Sequence, residues 1–120
     1  MTDVLTNGGR AWIVDKLNEN VQSGGDFLAW GTGAGEASEV DVALFSESPD
    51  EIRTEADRTK PAANQIQWKG RMTCAANPKI ITNVGNFTLV AGGTLIVHGN
   101  FTGVPLSVGD ALEFTIIMEF

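Results

Sequence analysis

The clearest pattern in the chain lies at its end. Leu112, Phe114, Ile116, Met118 and Phe120 alternate with Glu113, Thr115, Ile117 and Glu119, the period of two that sends successive side chains to opposite faces of a strand. Burying such side chains at roughly 1.5–3 kcal/mol each makes this strand a main driving force for a small domain. A second alternation runs from Gln65 to Cys74, with Ile66, Trp68, Met72 and Cys74 on one side. Ile80-Ile81 and Phe87–Val90 predict a further strand region, broken near Gly85. Thr94–Phe101 predicts its return, with Leu95, Val97 and Phe101 on one face. Ala91-Gly92-Gly93 between them is a hairpin turn, since paired glycines supply the positive φ that tight hairpins need. Pro105 and Val108-Gly109-Asp110 read as later turns.

Upstream the period changes. Ile13, Val14, Leu17 and Val21 fall at helical spacing, with Arg10, Asp15, Lys16 and Glu19 elsewhere. Thr6 or Asn7 is a suitable cap and Gly24-Gly25 a stop, so the spacing predicts an amphipathic helix over 5–21. Phe27-Leu28-Ala29-Trp30 predicts a buried strand closed by Gly31-Thr32-Gly33-Ala34-Gly35. Residues 36–64 hold most of the acidic surplus and predict a long solvated loop or arm, weakly ordered in the free protein, with Val42-Ala43-Leu44-Phe45 as a small apolar anchor. The expected architecture is mainly β: an antiparallel β-sandwich in one domain spanning 1–120, with a short N-terminal α-helix, a long acidic connecting loop and a strand-rich core over 65–120.

Composition narrows the function. Eight Lys and Arg stand against fifteen Asp and Glu among 120 residues, a net charge of −7. So acidic a chain repels phosphate backbones, which argues against a nucleic-acid partner. No apolar run approaches the roughly 20 residues that span a bilayer, so no membrane partner is expected, and the first residues lack a secretion signal. A soluble, intracellular domain is expected. Cys74 is the one cysteine and His98 the one histidine, too few for a multi-cysteine zinc site or an internal disulfide.

Candidate chemistry is correspondingly thin. Gly31-Thr32-Gly33-Ala34-Gly35 follows a strand as a dinucleotide loop does, but Glu36 stands where a glycine is needed and, with Glu39, would repel a pyrophosphate. A tight or flexible loop is the better reading. His98 reads as a lone surface or interface histidine, and Cys74 as a buried, unreactive thiol. The acidic run lacks the spacing of an EF-hand loop and reads as a solvated face. No nucleophile elbow accompanies the serines. Gly85-Asn86-Phe87-Thr88 recurs as Gly99-Asn100-Phe101-Thr102, two similar steps into strands rather than a repeat. Neither catalysis nor any cofactor or metal is expected. Trp12, Trp30 and Trp68 read as core or interface anchors.

Taken in order, several segments resemble a family of small virion structural proteins of tailed bacteriophages. They are Leu5-Thr6-Asn7-Gly8-Gly9-Arg10, Ala29-Trp30-Gly31-Thr32-Gly33, Ile81-Thr82-Asn83-Val84-Gly85-Asn86-Phe87, Gly92-Gly93-Thr94-Leu95 and Val108-Gly109-Asp110-Ala111-Leu112. Asn83 departs from the acidic or small residue usual in that family. The resemblance implies a capsid decoration (cement) protein on the virion exterior, made in the bacterial cytoplasm, with the major capsid protein as partner, or else a tail fibre or baseplate component. It also implies a homo-oligomer, with a trimer favoured. Interface candidates are then Trp12, Ile13 and Leu17 on the helix, Trp30, and the apolar end Met118 and Phe120. The helical stripe serves equally well to pack the helix on its own sandwich.

Overall fold

The computed structural model describes residues 2–17 and 25–119, with side chains over 4–13 and 25–119. Its elements in chain order are β1 (Thr2–Leu5), α1 (Asn7–Leu17), β2 (Phe27–Gly31), β3 (Thr54–Glu55), β4 (Asp57–Thr59), β5 (Gln65–Thr73), β6 (Lys79–Phe87), β7 (Leu95–Leu106) and β8 (Ala111–Glu119). They form two antiparallel sheets, a five-stranded one in the order β1-β7-β6-β2-β3 and a three-stranded one in the order β4-β5-β8. The fold is mainly β and sandwich-like, with one short helix among the described residues.

Period-two alternation builds the smaller sheet. Along β8, Phe114, Ile116 and Met118 are buried while Glu113, Thr115, Ile117 and Glu119 are exposed. β5 pairs with it in unbroken register, Trp68 opposite Ile116 and Met72 opposite Leu112. Trp68, Met72 and Cys74 are buried on the same side as expected. They meet Leu28, Trp30, Ile81 and Val84 of the larger sheet in one core.

Four expectations change. The helix begins at Asn7 rather than Leu5, because Thr2–Leu5 pairs with β7, Val4 opposite His98 and Leu5 opposite Val97. Thr6 then caps α1: its hydroxyl accepts the Gly9 N–H at 2.9 Å and donates towards the Leu95 and Ile96 carbonyls, so one side chain joins helix start to sheet. The expected end of the helix, Glu19 to Gly24 with Val21, lies outside the described residues.

β6 is continuous through Gly85. A Cβ there would meet Leu95 Cδ1, Leu44 Cδ2 and the Val97 carbonyl oxygen at 2.7–2.9 Å, so the glycine permits close packing instead of breaking the strand. The strand ends at Phe87, and Leu89 and Val90 are half-exposed in the hairpin loop. There Gly92 and Gly93 have φ of 66° and 76°, as their turn requires. β7 runs on through Pro105, which pairs with Ile80 beyond the stretch that β1 covers. A proline is tolerated at such an edge position.

Candidate functional site

The polar chemistry of the chain converges where the acidic segment crosses the larger sheet. Residues 36–53 form a strap rather than a solvated loop. Leu44 and Ser48 are buried, and the backbone of 45–48 runs beside the end of β2: Thr32 N–H donates to Ser46 O at 3.1 Å, Gly33 N–H to Phe45 O at 2.8 Å, and Ser48 N–H to Trp30 O at 3.0 Å. A Cβ at Gly31 would lie 2.4 Å from the Phe45 carbonyl oxygen, and at Gly33 2.8 Å from its carbonyl carbon. The Gly31–Gly35 segment is thus a cradle filled by the protein's own Phe45, with no phosphate role.

Two largely buried cations, Lys79 and Arg53, hold carboxylates of the strap. Lys79 of β6 binds Asp50 at 2.9 Å and also Glu51, with both Lys79 and Glu51 side chains at 7% and 6% exposure. Glu51 further accepts Trp30 Nε1–H at 2.7 Å and the Ala75 N–H at 2.9 Å. Burial pushes the Glu51 carboxyl up, but the hydrogen bonds from Lys79, Trp30, Ala75 and Ser48 outweigh it and bring the value to about 2. Burial likewise lowers Lys79, and Glu51 and Asp50 more than reverse this, so its ammonium is held above the ordinary lysine value.

Arg53 grips Glu47 with both ends of its fork, Nε to Oε2 at 3.0 Å and Nη2 to Oε1 at 2.9 Å. It also donates from Nη1 to the Leu89 and Gly92 carbonyls at 3.0 and 2.6 Å. The guanidinium carbon lies 3.6 Å from the centre of the Phe87 ring. This planar geometry is one that lysine cannot reproduce.

His98 meets a further carboxylate of the strap, that of Asp41. It is fully buried, not at the surface, because the strap covers its face of β7. Nδ1 lies 2.7 Å from Asp41 Oδ2 and Nε2 lies 3.0 Å from Asn83 Oδ1. Asn83 also binds the backbone of Phe45, accepting its N–H at 3.0 Å and donating to its carbonyl at 3.1 Å. The Phe45 ring sits 4.6 Å from the imidazole, centroid to centroid. No buried side-chain N or O among the described residues lacks a partner.

The expected interface residues fall differently. Trp12 is buried at 5% exposure and packs on Trp68 at 6.4 Å between ring centres, so it is core in this chain. Gly9 lets the helix approach that close: a Cβ on it would stand 2.4 Å from the Ile96 carbonyl oxygen. Ile13 is partly buried against the same core. Trp30 and Met118 are buried within the chain, Trp30 edge-on to Phe114 at 6.2 Å. Trp12, Trp30 and Met118 therefore present no free surface of the kind expected, while Ile13 keeps part of its own. The Leu17 side chain and Phe120 lie outside the described residues.

Cys74 is buried, with Sγ 3.2 Å from the Asn77 carbonyl oxygen. Among the described residues no cluster of His, Cys, Asp and Glu is arranged to hold a metal, and no helix is long and apolar enough to cross a membrane. Beside the strap lies an open groove of about 610 Å³ flanked by Pro49, Ile52, Val90 and Ala91. The contacts that join Asp41, Asn83, Lys79, Glu51 and Arg53 to the strap are not apparent in the sequence. The one signal was a polar Asn83 set between the apolar Ile81 and Val84. No family model matches the chain, and no curated protein matches it in sequence.

Proposed function

We propose that the chain is a structural protein of a tailed-phage virion, a decoration protein that covers junctions between major capsid subunits on the capsid exterior. The reading is carried by where the segments of the family resemblance fall: each is a joint of the fold. Leu5–Arg10 contains the Thr6 cap, Gly31 and Gly33 cradle Phe45, Asn83 ties β6 to the strap, and Gly92-Gly93 turn the hairpin. Gly109-Asp110 leads into β8 with φ of 95° at Gly109, Cys74 N–H donating to Asp110 O at 2.7 Å. A further support is that the buried polar groups of the strap are consumed in holding it down, while Val42, Ile52 and Val90 are left outside at 81%, 82% and 50% exposure. Those are apolar groups a neighbouring subunit would cover. The acidic exterior would keep decorated particles dispersed.

Assembly as a homo-oligomer, with a trimer favoured, is part of the same proposal. Cryo-electron microscopy of intact virions is the test, with purified protein added to undecorated capsids. Density on the shell and a higher temperature of DNA release with the protein bound are expected. Density on the tail, or unchanged release with loss of host attachment, replaces the decoration reading by the tail one. Absence from the particle overturns both.

A further inference from the structure

Both nitrogens of the buried His98 ring face an acceptor. The amide of Asn83 cannot be turned the other way. The Phe45 N–H needs its oxygen, at 3.0 Å, and the Phe45 carbonyl needs its nitrogen, at 3.1 Å. Reversal would set donor against donor and acceptor against acceptor. Oδ1 of Asn83 therefore faces Nε2 of His98, which must bear a hydrogen. At the other nitrogen, Asp41 Oδ2 stands 2.7 Å from Nδ1 and already accepts the Ser38 N–H at 2.7 Å. A carboxylic acid is stronger than an imidazolium, so the proton between them belongs to Nδ1. A neutral imidazole, with one donor and one acceptor, cannot satisfy both neighbours.

We propose that His98 is a buried imidazolium that latches residues 38–46 of the strap onto the five-stranded sheet, and that loss of its second proton opens this part of the strap. The deprotonated ring would turn a lone pair towards the Asp41 carboxylate, leaving two buried acceptors face to face. Among the described residues no lysine or arginine forms an ion pair with Asp41. Among the described residues Asp41 is the one charged group bonded to the ring, and the residues opposite on β1 and β6 are Val4 and Gly85. The Phe45 ring packs against the imidazole at 4.6 Å between centroids, tilted by 55°. The strap's next charged contact, Glu39 with Arg10 of α1 at 3.1 Å, is exposed. The latch stands independently of the virion reading.

One histidine in the chain allows its ring nitrogens to be assigned without mutation. Long-range ¹H–¹⁵N spectra of the labelled wild-type protein at about pH 7 should show both in the protonated position. A pyridine-type nitrogen at that pH overturns the proposal. As the pH is raised and that signal appears, the Ser38 and Phe45 amides should lose protection by roughly tenfold or more beyond the intrinsic rise in exchange, while Trp68 and Ile116 follow the intrinsic rise alone. Titration of the ring with no such loss overturns the release. In His98→Gln, which can serve only one of the two acceptors, the same amides should be unprotected at every pH. Wild-type protection in that variant also overturns the latch.

Discussion

Replacing Lys79 by methionine removes the ammonium from beneath the strap and leaves the Glu51 carboxylate in place, 6% exposed. Breaking a buried pair from one side costs about 3–5 kcal/mol. The loss in Lys79→Met should sit near the lower end, because Trp30 Nε1–H and the Ala75 N–H still reach the carboxylate. The pH dependence gives a separate measure. Glu51 is lowered from 4.5 to about 2, a difference equivalent to about 3 kcal/mol of stability. A lowered carboxyl contributes fully above its unfolded value. Its contribution is lost as the pH falls through the folded value, because the unfolded chain takes the proton first. Wild-type stability should therefore fall between about pH 5 and about pH 2, and the gap between wild type and Lys79→Met should narrow over that window. The raised Lys79 acts at the opposite end: its contribution is present below the ordinary lysine value of 10.5 and lost as the pH rises through the higher folded value. Urea unfolding followed by tryptophan fluorescence at a series of pH values measures both effects. A loss under about 1 kcal/mol at pH 7, or a gap that stays constant down to pH 2, would refute the reasoning.

Trp12→Ala should lose about 3–5 kcal/mol in the isolated protein, as core truncations do, and a variant with unchanged unfolding midpoint would return Trp12 to a docking role. Gly9→Ala adds a methyl group 2.4 Å from the Ile96 carbonyl oxygen, so despite alanine's better helix propensity it should lower the melting temperature by several degrees; a rise would show that α1 moves freely over β7. Arg53→Lys, which keeps charge but gives up the fork on Glu47 and the Phe87 contact, should cost about 1–2 kcal/mol by the same urea assay, and a neutral result would reduce the clamp to a surface pair. Trypsin should cut after Arg58, which is exposed, before Arg53, whose side chain is 9% exposed; mass spectrometry of the first fragments decides the order.

The smaller sheet was legible because its information is local. Leu112 to Met118 carries its own period, and the face it presents needs no knowledge of distant residues. The Thr6 cap and the Gly92-Gly93 turn are legible for the same reason: a hydroxyl before a helix and paired glycines act within a few residues. β1 was hidden, since Thr2–Leu5 shows no alternation long enough to count and owes its strand state to partners such as His98 and Val97. The strap is not legible in the sequence because charge along a chain does not show which carboxylates find cations. Asp50 and Glu51 look solvated until Lys79 is placed beneath them. His98 reads as a surface or interface residue in the sequence because the layer that covers it, Asp41 and Phe45, comes more than fifty residues earlier. Gly85 looked like a strand breaker for want of the side chains that crowd it.

The pairing of β1 with β7 has a kinetic consequence. Thr2 finds its partner at Asn100 and Leu5 at Val97, and the Thr6 hydroxyl closes onto Leu95 and Ile96. During synthesis the first of these segments leaves the ribosome more than ninety residues before the second. Throughout that interval the strand has no ladder to join, and α1, with no surface beneath Gly9 and Trp12, is too short to persist on its own. Closing so long a loop is entropically slow, and it comes after β6 and β7 have already met across their short hairpin. Of these two segments, the earlier-made one is therefore fixed late. Until it docks, the Val97–Asn100 edge of β7 is open to the same four-residue strand of any other copy emerging nearby.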